Sequence, residues 1–263
     1  MNKKSSLHFR LYTRVSFDDK NRAEKLCKKF LEFDGDFIPT KFNSHEPIQM
    51  NFDPHNLSQP VNLLSQTSHH LLLKRNKPRW QAYIYWLKGR NRPWFWTFDF
   101  GKEWIKEDRP RKIAEFLTSL SVDFHPVFAG GGLSTDWFEK HDVIDPKTGK
   151  FKESAGAGFF PGTGLPGIYW FNFFGKELVD FFGKDRLLKI NDGVILYQSS
   201  NNICILVYEK PDQKTSLWRR QCEERVVKLL GKQYFFDLEK AAGKRPRRRE
   251  LIPHVTDSKT FRD

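Results

Sequence analysis

Gly167-Ile168-Tyr169-Trp170-Phe171-Asn172-Phe173-Phe174-Gly175, followed by Lys176-Glu177-Leu178-Val179-Asp180-Phe181-Phe182-Gly183, is the stretch on which the fold turns. Ile168 to Phe174 is a strongly aromatic run of strand length, flanked by glycines. The period then changes. Leu178, Val179, Phe181, Phe182 and Leu187 recur at helical spacing, which predicts a helix over 176–188. Gly193 to Gln198 and Ile203 to Glu209 read as two strands joined at Ser199-Ser200-Asn201-Asn202, a run of turn formers. Ser216 is placed to cap a helix over Leu217 to Leu230, and Gly231 to end it. A short aromatic strand is expected at Tyr234 to Phe236.

The same order appears earlier in the chain. His8 to Phe17 alternates as a strand. A helix follows from about Lys20 to Phe33, with Asp18 or Asp19 at its cap and Gly35 at its end. Residues 36–68 are polar and rich in proline, a long connection of the wrapping or functional kind. Residues 69–75 and 79–88 predict two strands across Asn76-Lys77-Pro78; Trp80, Ala82, Ile84 and Trp86 share one face, and Gln81, Tyr83 and Tyr85 the other. Trp94, Trp96, Phe98 and Phe100 share a face of a third strand. A helix is expected from Pro110 to Leu120, then a strand from Val122 to Phe128 running into Gly130-Gly131-Gly132, read as a flexible loop.

Strand–helix–strand–strand thus occurs twice. The expected class is α+β, with two related halves in the manner of a ferredoxin-like duplication around a mainly antiparallel sheet. The boundaries are an N-terminal half over 1–132, a Gly/Pro-rich connection over 133–166, a C-terminal half over 167–240 and a basic tail over 241–263.

The run from Gly167 to Gly175 with Leu178-Val179 and Gly183, together with Leu230-Gly231-Lys232-Gln233-Tyr234-Phe235-Phe236-Asp237, resembles bacterial proteins of the immunity protein 52 family and related type VI immunity proteins. Lys41-Phe42-Asn43 and Glu46-Pro47-Ile48 are a weaker echo. The resemblance covers about residues 165–237, and its motif is a packing unit without catalytic residues. It implies a protein that neutralises a toxin by binding it. The basic charge departs from the acidic character of nuclease inhibitors, so the resemblance implies either an acidic toxin surface or a different task.

Composition narrows the alternatives. The 263 residues include 25 Phe, 8 Trp and 7 Tyr, and 15% aromatic content excludes a disordered chain. The net charge is +13. Residues 70–112 carry twelve Lys and Arg against four acids, and residues 239–250 carry six against two. Such clusters are either solvated faces or contacts for a polyanion or an acidic protein. Cys27, Cys204 and Cys222 are too few and too far apart for a zinc motif, and read as buried thiols in a reducing compartment. The N-terminus lacks a signal core and no run of eighteen apolar residues occurs, so no membrane partner and a cytoplasmic location are expected.

The catalytic motifs fail one by one. Gly156 to Gly167 lacks the phosphate-loop pattern and precedes a strand, not a helix. His69 and His70 adjoin, and so point to opposite faces of a strand. His125 with Asp123, and His141 with Asp142 and Asp145, become sites only if the fold assembles them. The same holds for Asp99, Asp136, Glu139 and Asp142 as ligands of a nuclease metal. No catalytic residue, metal or cofactor is therefore assigned. The candidate partner- or nucleic-acid-binding residues are Lys74, Arg75, Lys77, Arg79, Arg90 and Arg92, interleaved with tryptophans, and Arg245, Arg247, Arg248 and Arg249 in the tail. The tryptophans alternate onto a core face, which argues against stacking on bases. The expected function is a non-enzymatic binding protein of a bacterial conflict system that neutralises a toxin or effector. The rivals are a nucleic-acid-binding component of an antiphage defence system, with non-specific nucleic acid as its partner, and a metal-dependent nuclease.

Overall fold

The computed structural model describes residues 6–67, 69–86, 93–144, 148, 151–154, 164–190 and 193–236. In chain order the strands are β1 (Leu7–Thr13), β2 (Lys41–Asn43), β3 (Met50–Asn51), β4 (His70–Asn76), β5 (Arg79–Tyr85), β6 (Trp94–Phe100), β7 (Phe128–Leu133), β8 (Asp142–Ile144), β9 (Phe151–Ser154), β10 (Phe171–Phe174), β11 (Val194–Gln198) and β12 (Ile203–Leu206). The helices are α1 (Lys20–Glu32), α2 (Ser58–Asn62), α3 (Arg109–Phe124), α4 (Ser134–His141), α5 (Lys176–Phe182), α6 (Lys184–Leu188) and α7 (Ser216–Leu230).

Ten strands form one antiparallel sheet in the order β11-β12-β10-β7-β1-β6-β5-β4-β2-β3, and β8 pairs with β9 apart from it. The α+β class is as the sequence predicts. β1 sits in the middle because both of its faces are used. Leu7, Phe9 and Leu11 are buried on one side; His8 and Tyr12 are buried on the other, with Arg10 half-buried between them. On the first side α1 and α3 lay an aromatic layer over the sheet. Phe30 stacks on Trp80 at 5.6 Å between ring centroids, and Phe116 lies 5.3 Å from Phe30 and 6.3 Å from Phe98. On the second side α4 covers β1 and β7 through Trp137, whose ring is 4.8 Å from that of His8. No helix among the described residues is long and apolar enough to cross a membrane.

Several elements differ from expectation. The glycines read as a flexible loop are the centre of β7. A methyl group on Gly131 would meet the carbonyl oxygen of His8 and the backbone of Phe9, so glycine is there for close approach of strands and not for mobility. The helix predicted to end at Leu120 continues to Phe124, where His125 closes it in the left-handed conformation. The helix predicted over 176–188 is two, broken at Gly183 with φ +83°. Residues 133–166 open with α4.

The strand order does not confirm a duplicated ferredoxin-like unit. In the C-terminal part β12 lies between β10 and β11, which run parallel. In the N-terminal part the helix-linked strands β1 and β2 are also parallel, but β6, β5 and β4 all lie between them. β7 pairs with β1 on one side and β10 on the other, and the core runs continuously through both parts.

Candidate functional site

The second side of β4, β5 and β6 is the open face of the sheet. Strand alternation sends Leu71, Leu73, Trp80, Ala82, Ile84, Trp96, Phe98 and Phe100 into the core. The opposite parity stays half-exposed: His70 and Lys74 on β4, Gln81, Tyr83 and Tyr85 on β5, and Phe95, Thr97 and Asp99 on β6. Register aligns these in rows. Lys41, Lys74, Gln81, Asp99 and His8 follow one another across β2, β4, β5, β6 and β1. Asn43, Leu72, Tyr83, Thr97 and Arg10 form the next row.

The polar groups on this face are tied down. His8 Nδ1 lies 2.7 Å from Asp99 Oδ1. Tyr83 donates its hydroxyl to Glu46 Oε1 at 2.9 Å. The Tyr85 ring sits 4.2 Å from that of His70 and 5.1 Å, edge-on, from that of Trp94. Burial, with His69 beside it, holds the His70 pKa below its ordinary value, so the ring is neutral near pH 7. Arg10 lies over Phe95 at 4.5 Å and over Trp137 at 5.1 Å.

Of the residues singled out by sequence, Lys74 and the exposed Arg79 stand on this face. Arg75 has the other parity and serves the fold: its Nη1 donates to the Ile38 carbonyl at 2.8 Å and its Nε to the Lys77 carbonyl at 2.9 Å. Lys77 is exposed in the turn between β4 and β5. Arg90, Arg92, Arg245, Arg247, Arg248 and Arg249 lie outside the described residues. Trp80, Trp86, Trp96 and Trp104 are buried; Trp80 and Trp86 donate their indole N–H to the carbonyls of Asp36 and Leu64. They are core and do not offer stacking surfaces.

A second polar assembly joins α4 to α7 beside a cleft of about 490 Å³. Arg219 donates to both carboxylate oxygens of Asp136, at 2.9 and 3.0 Å. Lys140 Nζ contacts Glu223 Oε2 at 2.7 Å and the Ile168 carbonyl at 2.5 Å, while Tyr208 donates to Glu223 Oε1 at 2.9 Å. Burial pushes the Glu223 carboxyl up, against the pull of the Lys140 ammonium. Burial, reinforced by the Glu223 carboxylate, also raises the Tyr208 hydroxyl. At the rim Arg220 pairs with Glu139 at 2.6 Å. These charges satisfy one another, and the assembly does the work of an internal clamp.

Among the described residues the catalytic alternatives are not brought together, and Asp145 lies outside them. Asp136 and Glu139 line the cleft, but each is matched to an arginine, and Asp99 is on the open face. Asp123 binds Lys25 and Lys29. His141 Nε2 lies 2.7 Å from the Tyr169 hydroxyl in the buried interior. Among the described residues no group of three or more His, Cys, Asp or Glu is placed to hold a metal. Burial pushes the Cys27 and Cys204 thiols up to about 12, which leaves them un-ionised and unreactive. Sequence reasoning missed the His8–Asp99 pair and the α4–α7 clamp. Only parity signalled the first, since His8 and Asp99 both fall on the polar side of their strands. Nothing local signals partners 83 residues apart.

No protein-family model matches the chain, and no curated protein is significantly similar to it in sequence. Among solved structures it is similar to the Pseudomonas aeruginosa T6SS protein PA0821, with a TM-score of 0.55 over 96% of this chain and 80% of that one. The likeness is one of fold. At 14% identity it shows shared architecture and carries no residue-by-residue roles.

Proposed function

We propose that the chain is a non-enzymatic binding protein of a bacterial conflict system, acting in the cytoplasm, that neutralises a toxin or effector by direct contact in the manner of an immunity protein. The observation that carries this reading is the fold likeness to a T6SS protein across nearly the whole chain. Two features support it. The buried charges are matched to one another within the fold, as in a scaffold. The open sheet face presents tyrosine and arginine, the residue types that anchor protein contacts.

The test is a pull-down with the tagged full chain from its native host, with and without nuclease treatment, read by mass spectrometry for protein and by gel staining for nucleic acid. The expected result is a protein captured in stoichiometric amount that arrests growth when expressed alone and does not when expressed with this chain. Capture of nucleic acid alone, or of no specific protein, would overturn the reading.

A further inference from the structure

We infer that the half-exposed face of β4, β5 and β6 is the surface that engages the partner, and that the matching partner surface is an acidic patch of a protein. This rests on the binding reading above and assigns it a place. The face is the part of the central sheet left open beside α4, which covers β1 and β7 on the same side. Its chemistry is divided along the strands. Lys41, Lys74 and Arg79 gather at one end, and the rings of Tyr83, Tyr85 and Phe95 lie toward the other.

The cations carry the first argument. Lys41 and Lys74 are direct cross-strand partners. Like charges so placed repel, and a carboxylate from outside relieves the repulsion. Lys41 reaches sideways to Asn51 at 2.6 Å, a neutral acceptor, and among the described residues no carboxylate pairs with it. The neighbouring carboxylates are already engaged: Asp99 by His8, Glu46 by the Tyr83 hydroxyl, and Glu103 by the backbone N–H of Arg79.

The rings carry the second. Tyr83 is fixed by Glu46, and Tyr85 by His70 and Trp94, so little side-chain freedom remains to be lost on binding. The same packing speaks against nucleic acid. Tyr85 meets Trp94 edge-on, the Phe95 ring is already covered by Arg10 at 4.5 Å, and Lys41, Lys74 and Arg79 are set apart from Tyr83 and Tyr85 instead of alternating with them.

The experiment uses the full chain and the protein captured from its host. Lys74→Glu with Arg79→Glu reverses the basic end, and Tyr85→Ala removes a ring. Lys184→Glu with Lys189→Glu, on and just after α6, makes the same change in net charge elsewhere. Affinity should fall about tenfold or more for the face pair and for Tyr85→Ala, and stay within about twofold for the α6 pair. On the wild-type complex, hydroxyl-radical footprinting should show Tyr83 and Tyr85 protected, a measurement that requires no variant to fold. Equal weakening by both charge pairs would mean that net charge alone matters and would overturn the assignment. So would wild-type affinity in the face variants or unprotected tyrosines, with the binding function left standing. If the wild type captures only nuclease-sensitive material, the functional reading fails and the assignment fails with it.

Discussion

Gly131 has no room for a methyl group, because the carbonyl of His8 and the backbone of Phe9 occupy the place where one would sit. Gly131→Ala must therefore spread the β1–β7 ladder at the middle of the sheet. A cost of about 1–3 kcal/mol or more is expected, as for other overpacked interiors, and thermal or urea unfolding of the soluble fraction measures it. Asp123 is a residue of another kind, because its contribution depends on pH. Burial tends to raise its carboxyl, but hydrogen bonds from Lys29 and Lys25 hold it below the ordinary value of 3.8. The folded state thus prefers the ionised form. The stabilisation is present above 3.8 and is lost as pH falls through the lower folded value. Asp123→Asn should cost no more than about 1 kcal/mol at pH 7, since Lys25 is half-exposed. The gap to wild type should close at pH low enough to protonate the carboxyl in both states. An unchanged gap in acid would show that the hydrogen bonds, not the charge, hold α1 against α3.

At the scale of elements, α4 and α7 are joined by the ion pairs Arg219–Asp136 and Lys140–Glu223. Arg219 and Asp136 are nearly buried, so Arg219→Met leaves a carboxylate with little water around it, at a cost of about 3–5 kcal/mol. Replacing both partners, with Asp136→Leu added, should recover much of that loss. A double-mutant cycle from denaturant unfolding checks it, and additive costs would contradict the clamp. What was legible in the sequence follows the same division between local and distant causes. β1, β4, β5, β6, α1 and α7 were readable because alternation, helical spacing and caps such as Asp19 are local properties. The core parity of Trp80, Trp86 and Trp96 was readable for the same reason. β7 was not, because its glycines answer to the backbone of a strand more than a hundred residues away, and a glycine run with no side chains shows no period. Nor was the break in α5–α6, since Phe181 and Phe182 continue the helical spacing up to Gly183. Of the candidate site, the basic stretch was visible, but its division was not. Composition groups Arg75 with Lys74, and strand parity separates them.

For the molecule as a whole, the positive charge among the described residues forms no single groove with stacking rings. Lys74 and Arg79 share a face with Tyr85, which is packed edge-on, Arg75 is used internally, and Trp80, Trp86, Trp96 and Trp104 of the basic stretch are core. Affinity for single- or double-stranded oligonucleotides should accordingly be weak, about 10⁻⁴ to 10⁻⁶ M at physiological salt. It should not distinguish between sequences. A salt titration of wild type and of a variant with Arg245, Arg247, Arg248 and Arg249 changed to serine measures this; nanomolar binding lost in the variant would rank nucleic acid above protein as the partner.

The first strand of the chain is also the central strand of the sheet, and this bears on how the molecule is made. β1 leaves the ribosome early, but its two neighbours are β6 at residues 94–100 and β7 at residues 128–133. At about 5–20 residues per second, β1 stays without a neighbour for several seconds of synthesis, and for several more before its second edge is closed. Through that interval Leu7, Phe9, Leu11 and Tyr12 lack the neighbouring strands beside which they are buried in the finished fold. A stall in translation before residue 133 would leave β1 without one or both of the strands that close its edges.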